Sequence, residues 1–183
     1  MLTEEELQNN KKRIEHLLFS TKRPGMDEVV KYLEKNDFFK IPSSLHRHHN
    51  WEGGLAQHCL GVYDRLSATG SKLSNDSIII TSFLHDICKA RKIYKSKDGQ
   101  WKERKEEELK IPGHGYRSIK ILEKLGLNLT KEEKQAIRWH MGGWKIGEKS
   151  NEEIRDFFAT KKSDLWRLLH NADRYDASHY PGI

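Results

Sequence analysis

Seven consecutive residues, Ile78-Ile79-Ile80-Thr81-Ser82-Phe83-Leu84, carry no charge and five of them are strongly apolar, so a helix through them reads as buried. The run ends at His85-Asp86, which puts a carboxylate at the end of a buried segment. Such a carboxylate is costly without a cation or hydrogen-bond partners, and imidazole beside carboxylate is a good donor set for divalent transition metals. The fold is therefore constrained to bring Asp86 its compensation from other segments.

Periodicity shows which segments can supply it. Leu55, Cys59, Val62 and Leu66 recur at helical spacing, and His58 lies on the same stripe. Asp173 stands four residues after Leu169 and seven after Trp166, which places it on the core face of the last helix. His114, in Pro112-Gly113-His114-Gly115, falls at a helix start, and His140 ends a helical stretch over residues 131–140, three residues after Ile137. The set His58, His85, Asp86, His114, His140 and Asp173 offers six ligands, enough for two metals if Asp86 bridges them. A single closed zinc site needs only four.

The rest of the chain sets bounds. At 183 residues with 36% hydrophobic content it is expected to form one domain, residues 1–183, with its own core. No stretch of about 20 apolar residues occurs, and the N-terminus has neither signal nor transit character, so no membrane span and a cytoplasmic location are expected. Cys59 and Cys88 both lie in apolar helical segments, which argues against a disulfide framework. The net charge of +6 favours anionic partners, but the basic residues alternate with acidic ones, as in residues 102–108. No duplex-binding motif is present, so a dedicated duplex-binding surface is not expected.

Helices account for most of the remaining pattern. Thr3-Glu4-Glu5-Glu6 opens a helix as a capping box, Pro24-Gly25 separates it from a second, and residues 1–40 are expected to cover one side of the core. Thr130 opens the helix that ends at His140 in the same way. Residues 91–105 break the pattern: Asp98-Gly99 lies between two alternating segments and predicts a β-hairpin, either a flap over the site or a surface excursion. Residues 141–145 are too glycine-rich for helix and are read as lining the cavity.

With these residues in place, the chain resembles the HD superfamily, named for its His-Asp pair, whose metal-dependent phosphohydrolases follow the order His, His-Asp, Asp. The stretch HHNWEGGLAQH at residues 48–58 is similar to the HH-x-x-x-GGL-x-x-H segment of small HD hydrolases and of HD domains in some bacterial exoribonucleases. PGHGYRS at residues 112–118 and IRWHMGGW at residues 137–144 are similar to the later motifs of small HD proteins of phage and prophage genomes. The resemblance runs from His48 to Asp176. It implies an all-α fold, a compact HD-domain helical bundle carrying the small hairpin insertion, with the metal-site core in residues 48–176.

For function, the resemblance implies a phosphohydrolase that cleaves a phosphoester or phosphoanhydride of a nucleotide or related phosphorylated small molecule through a metal-activated hydroxide. His58, His85 and Asp173 would bind the first metal, Asp86 would bridge, and His114 and His140 would bind a second, the ions being iron, manganese, zinc or nickel. In mononuclear relatives the equivalents of His114 and His140 contact phosphate or move protons. Asp86 and Lys89 are the expected catalytic residues. Lys89, Arg117, Arg138 and Lys145 are the expected cationic contacts to substrate, and the HH segment places His49 near the site mouth as a further contact. His16, His46, His48, His170 and His179 are read as surface residues or as supports behind the ligands. Two other classes stay open: an HD-fold di-iron oxygenase, since the ligand types suit both, and a non-catalytic nucleotide-sensing HD module.

Overall fold

In the computed structural model, which describes residues 2–111, 113–143 and 146–180, the apolar run forms helix α4 (Asn75–Leu84), and residues 78–84 are all buried. A helical segment buried at seven consecutive positions needs neighbours around it. Helix α3 (Gly54–Ser67) packs along it, and α1 (Glu4–Ser20) and α7 (Lys131–Trp139) contact it as well. Helix α9 (Asp164–His179) lies against α3, α4 and α7. Helix α2 (Met26–Lys35) packs on α1, α6 (His114–Lys124) on α7, and α8 (Asn151–Thr160) on α7.

Side chains such as Phe38, Phe83, Leu55 and Ile79 are fully buried at the centre, and each contributes about 1.5–3 kcal/mol by leaving water. Local signals set the helix starts. The Thr3 hydroxyl accepts the Glu6 N–H while the Glu6 carboxylate accepts the Thr3 N–H, and Thr130 with Glu133 and Ser150 with Glu153 repeat the arrangement.

A short helix α5 (Lys89–Lys92) leads into strands β1 (Ile93–Lys95) and β2 (Trp101–Glu103), antiparallel with Tyr94 opposite Lys102. These are the only strands among the described residues, so the architecture is all-α with one hairpin. Gly99, at φ +80, supplies the left-handed residue of its turn. None of the described helices is long and apolar enough to cross a membrane.

One polar network is sealed inside the helical packing away from the histidines. The Glu133 side chain is fully buried and accepts from both Arg23 guanidinium nitrogens at 3.0 Å, from Ser77 Oγ at 2.8 Å and from the Thr130 N–H at 2.8 Å. Arg23 Nη1 also donates to the Asn128 carbonyl at 2.8 Å.

Candidate metal centre

Two of the histidines are placed by the same local device. His85 is the residue after α4, with φ −57 and ψ −35, and His140 is the residue after α7, with φ −56 and ψ −35. A helix leaves its last carbonyls without partners, and each ring turns back to fill one. His85 Nδ1 is 2.9 Å from the Ser82 carbonyl and His140 Nδ1 is 2.7 Å from the Ile137 carbonyl, three residues back in both cases. With the Nδ1–H donated, the Nε2 lone pair of each ring is committed to the interior.

His58 sits mid-helix on α3, where the preceding carbonyls are already taken, so its Nδ1–H needs a distant acceptor. It finds Asp176 on α9, with Nδ1 2.7 Å from Oδ2. The glycine one turn on makes this possible: a Cβ at Gly61 would stand 2.0 Å from Asp176 Oδ1. Asp173, one turn before Asp176, meets the other side of the ring, its Oδ1 3.2 Å from His58 Nε2 and 3.9 Å from His85 Nε2. His114 opens α6 and is brought to His140 by a second close approach, since a Cβ at Gly115 would meet the Ile137 carbonyl oxygen at 2.5 Å and that of Arg138 at 2.3 Å. Its Nε2 contacts Asp86 Oδ1 and its Nδ1 lies 3.1 Å from Cys88 Sγ.

Asp86 collects the rest. Its Oδ2 is 2.6 Å from Lys89 Nζ and 3.6 Å from His85 Nε2, and its Oδ1 is 3.4 Å from His140 Nε2. Lys89 reaches it although α4 has ended, because the chain turns through residues 85–88 and the Lys89 N–H bonds the Asp86 carbonyl. The ammonium also donates to Ser43 Oγ at 3.1 Å.

The unmet valences of the donor set show what it lacks. The Nε2 atoms of His49, His58, His85 and His140 are buried and have no hydrogen-bond partner. Leaving a buried polar atom unpaired costs about 1–3 kcal/mol, so the cluster is destabilising by itself unless something accepts those lone pairs. Imidazoles anchored through Nδ1 and open at Nε2 are what metal-ligating histidines present. Two triplets, His58 with His85 and Asp173, and His85 with Asp86 and His140, each bring their ligand atoms within 4.8 Å of one another, and they share His85. The residues fit a divalent cation.

Electrostatics divide the rings. Burial lowers His85 to about pH 4, leaving it neutral and able to coordinate. Burial also opposes charging of His58, but Asp173 and Asp176 outweigh it and hold its pKa at about 9. His114 is partly buried, which opposes its charging, yet Cys88 and Asp86 raise it to about 10. Asp86 remains ionised well below the usual range, because Lys89 and His114 overcome the cost of its burial. A proton on these rings competes directly with a metal.

Several expected contacts lie elsewhere. His49 is not at a mouth but fully buried, its Nε2 3.5 Å from Asp176 Oδ2, and burial lowers it to about pH 4. Arg117 is turned away from the cluster: its Nε donates to the Ile111 carbonyl at 3.0 Å and its Nη2 to Glu106 at 2.5 Å. Arg138 is paired with Glu153 at 3.0 Å and with Asp156 at 3.8 Å. Both guanidiniums had nearer carboxylates than a phosphate in the cluster. Gly142 and Gly143 back onto His170 and Phe157, and Met141 is 60% exposed. Lys145 lies outside the described residues.

Three residues were given no site role by sequence reasoning. Asp176 anchors His58, and its signal was available as the residue three after Asp173 on the same helix face. His48, expected at the surface or behind the ligands, forms a third close triplet with His49 and His58. Ser43 steadies Lys89 from a loop and had no local signal.

The model of the HD domain family matches residues 55–178, and the chain belongs to that family, a superfamily of metal-dependent phosphohydrolases whose members bind divalent metals. No solved structure matches the chain.

Proposed function

We propose that the protein hydrolyses a phosphoester or phosphoanhydride of a nucleotide or related phosphorylated small molecule, with two divalent transition-metal ions. The observation that carries this reading is the set of buried, unpartnered Nε2 atoms beside two carboxylates, with a lysine ammonium in the same cluster. His58, His85 and Asp173 would hold one ion, His114 and His140 a second, and Asp86 would serve both. When bound there, a divalent cation supplies Lewis acidity, which lowers the pKa of a coordinated water to about 7 and polarises the phosphoryl group.

The chain's own residues do the remaining work. Ser82, Ile137 and Asp176 fix the ring orientations through Nδ1, so the lone pairs need not reorganise when the site is charged. Lys89 stays cationic, since Asp86 raises its pKa against the effect of burial, and Ser43 keeps its Nζ at the cluster. There it can neutralise charge on a phosphoryl oxygen. His114 is the most exposed of the six candidate ligands, with 28% of its side chain accessible, so substrate approaches from its side.

A panel of nucleotides, assayed for released phosphate and nucleoside monophosphate with manganese or ferrous iron, in air and under strict anaerobiosis, tests the reading. Equal turnover in both atmospheres supports it. Product that forms only while dioxygen is consumed assigns the site to an oxygenase, and specific binding of a nucleotide without turnover assigns it to a sensor. Lys89→Ala is expected to keep the metal and lose about 10²–10³ in kcat, by analogy with loss of an oxyanion donor; wild-type turnover in that variant removes Lys89 from the chemistry.

A further inference from the structure

A cavity of about 630 Å³ lies between the end of α2, α5, the foot of the hairpin and α6, and none of the six candidate metal ligands lines it. Its size is that of a small-molecule site, for which about 300–1,000 Å³ is usual. Five cationic side chains line it: Lys35, Arg91, Arg104, Lys110 and Arg117. Two carboxylates, Asp37 and Glu108, stand against them, so the wall carries surplus positive charge.

One group in this wall is short of a partner. Arg117 is 3% exposed, two of its nitrogens are taken by Glu106 and the Ile111 carbonyl, and its Nη1 is buried with no hydrogen-bond partner. Burying a guanidinium N–H without an acceptor is costly, and a guanidinium binds phosphate oxygens through its fork of donors. The wall also includes apolar side chains, Ala90, Ile93 and Ile121 among them, and the Tyr94 ring, which the Arg104 guanidinium covers at 4.7 Å. Charge at one place and apolar surface beside it suit a small organic phosphate better than a bare inorganic ion.

We infer that this cavity is a second binding site, separate from the His-Asp cluster, which takes a small phosphorylated molecule with its phosphate on Arg117 and the neighbouring cations. Because α5 carries Lys89 just before Ala90 and Arg91, and α6 carries His114 one turn before Arg117, an occupant touches the two short segments that also carry cluster residues. The inference does not rest on the hydrolase reading, since the cavity shares no candidate ligand with the cluster.

Titration calorimetry with phenyl phosphate, which carries a phosphate and an apolar ring, on the full chain with metal removed by chelator, tests it. Binding is expected in the wild type and, unchanged, in Asp86→Ala. Arg117→Met is expected to weaken it roughly tenfold or more, the scale of a lost charge-assisted hydrogen bond. As Arg117 also holds the segment before α6, the exposed changes Lys35→Glu and Arg91→Glu serve as a second arm, with the same direction expected and folding checked by circular dichroism. Absence of binding in the metal-free wild type overturns the inference. So does binding that disappears in Asp86→Ala, or that survives all three cavity variants at wild-type strength.

Discussion

Two buried polar groups of this protein have opposite accounts. Around Glu133 every charge is met: two guanidinium bonds, a hydroxyl and a backbone N–H saturate the carboxylate. In the His-Asp cluster, from Asp86 across to Asp173 and Asp176, four imidazole nitrogens are left without a hydrogen-bond partner. Both Glu133 and Asp86 are buried, so burial alone does not distinguish a structural network from a functional one. The distinction lies in whether the protein satisfies its own donors and acceptors, because an open lone pair in the interior is a standing cost that only a ligand relieves.

The largest expected effect separates the two by activity. Asp86→Ala should lower turnover by about three orders of magnitude or more, since several kcal/mol of transition-state charge stabilisation depend on the cation, and metal analysis of the purified variant should show the loss. Glu133→Ala should leave specific activity of the folded fraction near wild type. If the two variants lose activity alike, the distinction between saturated and open networks fails.

Stability should divide them the other way. Glu133→Ala leaves Arg23 partly buried without its partner, a change that costs about 3–5 kcal/mol, or a fall in Tm of about 6–20 °C for a chain of this size. In metal-free protein His85→Ala removes a side chain whose Nε2 has no partner, and the melting temperature should fall by less than for Glu133→Ala. Calorimetric melts with chelator present compare them.

Cation should supply what the open network lacks. Manganese or zinc at about 100 times its dissociation constant should stabilise the wild type by about 2.7 kcal/mol for each site filled, and Glu133→Ala by the same increment, with no shift in Asp86→Ala. Titration should reach two equivalents; saturation at one would return His114 and His140 to phosphate or proton handling.

A smaller effect probes the support behind the ligands. In Gly61→Ala the added methyl group meets Asp176 Oδ1 at 2.0 Å, so the carboxylate must move off His58. Metal affinity should fall about 10- to 100-fold, read by competition with a chromophoric chelator.

The last concerns pH. His58 is held at about 9 and His114 at about 10, both above the ordinary 6.5, so their protons compete with metal until the pH passes those values. Apparent affinity should therefore rise with pH from 6.5 toward 9, by at most about tenfold per unit for each proton released. His85, lowered to about 4, should add nothing to the slope in that range. A flat profile would show that neither raised histidine binds the metal.

Much of this could be read from the residues in order. The run over residues 78–84 read as a buried helix because it is mostly apolar and carries no charge, and Thr3, Thr130 and Asp98-Gly99 set helix starts and a turn through bonds within a few residues. The positions of His85 and His140 at helix ends followed from the same short-range rules, and the stripe on α3 turned His58 inward. Long-range pairing was not legible. Which carboxylate anchors His58 depends on how α9 lies across α3, and Asp176 is 118 residues away. Arg117 and Arg138 carried the right charge for phosphate, but packing placed Glu106, Glu153 and Asp156 nearer, and a guanidinium takes the closest carboxylate. His49 had a suggestive neighbour and a fully buried position that only the loop conformation fixed. The sequence by itself determined the helices, the faces they bury and the family. The tertiary structure decided which polar groups satisfy one another and which are left open, because that balance is a property of distances between segments that sequence separation does not encode.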